Sequence, residues 1–193
     1  LYFKLCFWDM ETWYFIFFLG VIISFLGTLP LGPINLSVVD TTLKSGTKPA
    51  LFLSIAASLI EILMVFIAVW CSVAFTDLLS FSDWTKWVAV LVLIGLGLFF
   101  WLQPNRTKEV KTENGKDSNL KENRNAFFKG ILLALLNPQA VPFWFFVLAS
   151  LNSAKVIDLS FQKDTLLLWS FLTGTAMGKF LSLWLFAVMS RLV

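Results

Sequence analysis

The chain has 193 residues, of which 58% are apolar and 14% charged, with a formal net charge of +3. Soluble domains carry roughly 45–50% apolar and about 25% charged residues, so this chain could not cover its own surface in water and needs a bilayer. The small charge gives no footing for nucleic acid, the absence of histidine removes Ser-His and Cys-His nucleophiles and His-ligated metals, and two cysteines (Cys6, Cys71) form no disulfide framework or metal spacing.

Taken in chain order, residues 1–9 precede Met10, which with Glu11, Thr12 and Trp13 makes a natural start. Residues 1–9 therefore read as lying upstream of the native protein, or the chain as a fragment, and not as a signal sequence. A helix needs about 20 largely apolar residues to cross a bilayer. Residues 12–39 carry no charge and predict a first span. Residues 49–76 predict a second, with Glu61 as its one charge. Residues 87–103 are uncharged but short, and Trp84 and Trp101 mark the interfaces of a third. Residues 130–154 predict a fourth span, and residues 165–190 a fifth, with Lys179 as its one charge. The runs are continuous, which indicates helices; barrel strands would alternate.

Residues 104–126 are the one long hydrophilic stretch. Arg106, Lys108, Lys111, Lys116, Lys121 and Arg124 mix there with Glu109, Glu113, Asp117 and Glu122 without an apolar face, which predicts a flexible loop. With five spans, this loop, Lys44, Lys48, Lys129 and Arg191 share one side, and Lys4, Lys86, Lys155 and Lys163 the other. Ten basic residues against four place the first set in the cytoplasm and the N-terminus outside.

Two features break the apolar runs. The first span contains Leu29-Pro30-Leu31-Gly32-Pro33-Ile34-Asn35, where two prolines and a glycine remove backbone donors and crowd the preceding carbonyls. The fourth contains Asn137-Pro138-Gln139-Ala140-Val141-Pro142. Paired broken helices at matching places in two halves point to a transporter site built on internal repeats, whereas a single proline kink would not. Glu61 and Lys179 lie midway along the second and fifth spans. A charge there costs about 2.5–3.5 kcal/mol on insertion scales, so each is expected to face the bundle interior or a wet path. Two readings stay open: a pair that only locks helices together, or charges that meet a zwitterionic substrate or a coupling ion. Asp40 ends the first span at the interface and is either simply solvated or lines an entrance. Gly174 and Gly178 form a small-xxx-small pair whose default reading is close helix packing. No phosphate loop is present, so ATP is not expected as the energy source.

The Pro30–Leu36 break followed by Lys44-Ser45-Gly46 resembles the opening of the LysE/RhtB family of amino-acid exporters. Phe127-Phe128-Lys129-Gly130-Ile131-Leu132 and Asn137-Pro138 resemble that family's fourth span and its Asn-Pro signature. The family's Pro-Gly-Pro appears here as Pro30-Leu31-Gly32-Pro33. The resemblance implies a small exporter, typically of six helices, in the inner membrane, that removes amino acids or related metabolites from the cytoplasm. Pro30, Gly32, Pro33 and Asn35 would sit at its broken first helix, and Asn137 and Pro138 at the counterpart.

The expected fold is thus an all-α polytopic membrane bundle. Five spans are visible in a three-plus-three inverted repeat, with a sixth span missing beyond Val193. The alternative is a true five-span protein whose exposed face is covered in a homo-oligomer. The expected function is secondary export of a small polar solute. A non-transporting membrane scaffold is the alternative, and metal-ion export a weaker variant because no acid cluster or histidine is present. The expected partners are a small-molecule substrate and lipid, with no cofactor, no metal and no enzymatic activity.

Overall fold

A computed structural model describes residues 2–80, 95, 119–137, 139–153 and 165–192, with side chains described over 13–72, 95, 122–137, 139–152 and 165–192. The described residues are helical and contain no strand. The elements are α1 (Tyr2–Thr28), α2 (Pro33–Ser45), α3 (Thr47–Ser80), α4 (Asn119–Leu135), α5 (Ala140–Ser153) and α6 (Thr165–Met189). Helices are what a bilayer permits, because each satisfies its own backbone donors and acceptors. The stretch 87–103 lies outside the described residues apart from the helical Gly95.

Residues 47–72 of α3 and the whole of α6 are each long and apolar enough to cross a membrane. Trp13–Thr28 and Pro33–Ser45 meet the same test only as a pair, and they are bent by 77° at the break between them. The α4–α5 pair also meets it when counted together.

The chain divides into two compact units. The first contains Leu1–Phe66, Lys116–Asn137 and Ser160–Val193. Its helices leave many large apolar side chains exposed and bury small and polar residues together with part of the apolar ones. On α1, Phe15, Phe18, Ile22 and Leu26 are exposed while Ile16, Gly20 and Ser24 are buried at four-residue spacing. On α6, Trp169, Met177 and Trp184 are exposed while Gly174, Thr175, Gly178, Lys179 and Ser182 are buried. An apolar outer face is what lipid selects, because lipid tails give apolar residues no reason to hide.

Helices α1 and α6 pack at backbone distance. A Cβ on Gly174 would strike the carbonyl of Phe17, and one on Gly178 the carbonyl of Val21. A Cβ on Gly20 would meet Phe171 O at 2.9 Å. Contacts rise together in number along both helices, so α1 and α6 run in the same direction. On another side, Gly130 of α4 lies against the backbone of α3, where its Cβ would run into Leu53 O. Ile34 and Val38 of α2, Ala50, Leu53 and Ala57 of α3, Ala126 and Ala134 of α4, and Leu183 and Ala187 of α6 close the core. Alanine dominates this list because the helices approach so closely.

One detail differs from the sequence reading. The helix α4 begins at Asn119, inside the hydrophilic stretch 104–126, and Ala126 is already buried in the core. In the region 12–39, two helices are separated by four residues without helical structure, 29–32. Between α2 and α3 the chain turns on Gly46 alone, at φ +92°, a conformation that L side chains rarely adopt.

The second unit contains Ile67–Gly115 and Pro138–Leu159. Within it, α5 buries Ala140, Trp144 and Leu148 on one stripe at four-residue spacing, and Phe143 meets Trp144 edge-on with ring centroids 5.2 Å apart.

Gly178→Val is expected to lower the unfolding temperature of the detergent-solubilised protein, with a loss of about 1–3 kcal/mol or more from overpacking. Gly32→Ala should leave it nearly unchanged, because Gly32 is extended and its nearest neighbour for a Cβ is 3.9 Å away. Equal losses in the two variants would contradict the packing described.

Candidate functional site

The buried polar groups of the first unit come from four helices, with Asn35, Thr41 and Thr42 on α2. On α3, the inward stripe carries Ser54, Ser58 and Glu61 at four- and three-residue spacing. On α6, the inward stripe carries Thr175, Lys179 and Ser182 at the same kind of spacing. On α1, the stripe carries Ser24. Among the described residues, Glu61 and Lys179 are the buried charged side chains.

These two meet. Lys179 Nζ donates to Glu61 Oε2 at 2.5 Å, with side-chain exposures of 6% and 7%. A lone ion at such a position would carry an uncompensated charge in a medium that cannot hydrate it. Joining the two balances the buried charges among the described residues. It also fixes α3 against α6 at one height, near the middle of both helices.

The surrounding hydroxyls fall into two groups. Most bond back to their own helix: Ser54 Oγ donates to Ala50 O at 2.9 Å, Ser58 Oγ to Ser54 O at 2.8 Å, and Thr175 Oγ1 to Leu172 O at 2.8 Å. Ser24 Oγ and Ser182 Oγ are buried without any hydrogen-bond partner. Ser182 lies three residues beyond Lys179 on the same inward stripe. Ser24 lies one turn beyond Gly20, and Gly20 faces Phe171, Gly174 and Thr175. In parallel register, that next turn of α1 lies along Gly178, where a Cβ would meet the backbone of Val21 and Phe25.

The break in α1–α2 is built from its own residues. Pro33 takes the first turn of α2, where a missing N–H costs no hydrogen bond. Asn35, buried in that turn, donates from Nδ2 to Thr28 O at 2.6 Å and to Pro30 O at 2.9 Å. It thereby caps carbonyls that the end of α1 leaves open. Thr28 Oγ1 donates to Ser24 O at 2.8 Å, and Leu36 N–H to Gly32 O at 3.0 Å. Pro30, Gly32 and Pro33 therefore end one helix and start another, with Asn35 as the clasp.

The remaining sequence candidates lie elsewhere. Asp40 sits in a half-exposed pair with Lys44 at 2.7 Å, a four-residue helical pair with side-chain exposures of 46% and 71%, worth about 0.3–0.5 kcal/mol. Asn137 follows the end of α4, its N–H donating to Ala134 O at 3.3 Å. Gln139 is exposed ahead of α5 and accepts Phe143 N–H on its carbonyl at 3.1 Å, in the turn that contains Pro142. Pro138 lies outside the described residues. Gly174 and Gly178 line the α1–α6 contact, and Gly178 is next to Lys179. Among the described residues, no group of three or more acidic or cysteine side chains could hold a metal ion.

Ser24 and Ser182 escape a reading based on charge and proline. The signal was available as spacing: Gly174-xxx-Gly178-xxx-Ser182 and Gly20-xxx-Ser24 continue small-residue stripes by one turn each.

Helices able to cross a bilayer, with an inward polar stripe and a neutralised charge pair, define an all-α polytopic membrane protein. A sequence model of the LysE type translocator family matches residues 25–193, well over half of the chain, and the chain belongs to that family. It is therefore a membrane translocator that handles a small molecule. None of the curated proteins and none of the solved structures matches the chain.

Two measurements check this geometry. Lys179→Met removes the buried cation that Glu61 meets and should destabilise the protein by about 3–5 kcal/mol, while Glu61→Gln/Lys179→Met should recover much of that loss. Additive losses in a double-mutant cycle would contradict the contact. Asn35→Ala should cost about 1–3 kcal/mol, because the carbonyls of Thr28 and Pro30 lose their donor.

Proposed function

We propose that the chain is a secondary transporter that exports amino acids or similar small polar metabolites from the cytoplasm across the inner membrane. The observation that carries this is the Glu61–Lys179 pair, buried midway along two helices that can each cross a membrane. A translocator must offer polar ligands at mid-membrane and still keep the empty site neutral, and an internal ion pair does both.

In this reading Glu61 and Lys179 form the core of the solute path, and the break at Pro30, Gly32 and Pro33, clasped by Asn35, is where α1 and α2 change angle as access alternates. Asn137, Pro138, Gln139 and Pro142 form the corresponding break of the second half, and Asp40 stands at the cytoplasmic mouth. The distribution of Lys and Arg puts the N-terminus outside and the 104–126 segment in the cytoplasm. The common direction of α1 and α6 supports an odd number of crossings between them, as a five-span order with a three-plus-three repeat requires.

The closed 2.5 Å pair also favours a second reading, a membrane scaffold in which the pair is only a brace. Expression in cells followed by untargeted metabolite profiling of the medium separates the two. Export predicts that amino acids accumulate outside, and that Glu61→Gln and Lys179→Met abolish the accumulation at equal membrane abundance. An unchanged medium, with the variants affecting abundance alone, would leave the scaffold.

A further inference from the structure

Resting on the export reading, we propose that Ser24, Glu61, Lys179 and Ser182 form one solute-binding locus that selects by net charge and accepts net-neutral zwitterions. Two independent observations carry this. The first is the neutral pair itself, Lys179 to Glu61 at 2.5 Å. The second is the pair of hydroxyls without partners: Ser24 is 1% exposed and Ser182 0% exposed, and neither Oγ makes a hydrogen bond. Neighbouring hydroxyls show that back-bonding to the helix is open to serine and threonine in these helices. A buried hydroxyl that makes no such bond carries the full desolvation cost of an unmade one.

A zwitterion resolves both observations. Its carboxylate replaces Glu61 on Lys179, its ammonium replaces Lys179 on Glu61, and a hydroxyl can donate to the first or accept from the second. No proton need move and no bond need form. The locus holds balanced charge before binding and balanced charge after it. A cation or an anion would instead leave one unmatched charge inside the membrane, a handicap on the order of 100-fold in kcat/KM.

The same arithmetic makes the preference transferable. Glu61→Gln leaves a locus with one positive charge, which an anionic amino acid would balance. Lys179→Met leaves one negative charge, which a cationic amino acid would balance.

The test is efflux from proteoliposomes containing the full chain and an equimolar load of glutamine, glutamate and lysine, which are similar in length and differ by one charge. The wild type should prefer glutamine over both by on the order of 100-fold, Glu61→Gln should shift toward glutamate, and Lys179→Met toward lysine. Ser24→Ala and Ser182→Ala should each raise the KM for glutamine on the order of tenfold, while the unfolding temperature stays level or rises because no protein partner is lost. Should the single-charge variants fail to insert, the exchanged pair Glu61→Lys/Lys179→Glu must still prefer glutamine. A wild type that moves solutes without regard to charge, charge variants that lose all three solutes in proportion, or serine variants with unchanged KM would overturn the locus and leave export standing. A wild type that moves none of the solutes would overturn the export reading itself, and the locus with it.

Discussion

Charge neutrality inside hydrocarbon is the constraint from which the arrangement of the first unit follows. Glu61 and Lys179 cannot face lipid singly, and each needs the other at one height between α3 and α6. Helix α6 must then present Lys179 toward α3 while resting against α1 on the adjoining face. Gly174 and Gly178 make that possible, because any side chain there would hold the α1 backbone away. The ion pair and the glycine stripe are thus two halves of one requirement, charge placement and close approach.

The break between α1 and α2 meets a different form of the same demand. Prolines at 30 and 33 remove donors and leave carbonyls open, and water cannot answer them at membrane depth. The side chain of Asn35 answers two of them from the first turn of α2. Asn35 thus supplies donors to two of the carbonyls at the change of direction.

How much of this was readable beforehand depended on the kind of signal. Membrane character and all-helical structure were legible because composition and unbroken apolar runs report solvent directly. The prolines at 30 and 33 marked the place where α1 ends, since their effect on backbone is local. Glu61 and Lys179 were visible as rare charges, but their contact joins residues 118 positions apart, and no local rule encodes which partner a buried ion finds. Asn35 is visible in the sequence as an amide at a helix break, but its bonds to Thr28 and Pro30 depend on a turn geometry that sequence does not specify. Ser24 and Ser182 carry no mark of charge or proline, because serine is common and its hydroxyl is normally absorbed by its own helix. The extent of α4 into the polar stretch was hidden because residues 119–125 are mostly polar or charged, whereas Ala126 is in the core.

The central claim is that the mid-membrane ion pair is closed when the protein is empty and parted by its solute. A nitrogen–carbon distance between Lys179 Nζ and the Glu61 carboxyl carbon, measured by solid-state nuclear magnetic resonance in lipid with Glu61→Gln as the assignment control, reads this directly. The account predicts a contact consistent with the 2.5 Å N–O separation in the empty protein and its loss when glutamine saturates the site. A contact that persists unchanged under saturating glutamine in protein shown to transport it would contradict the account.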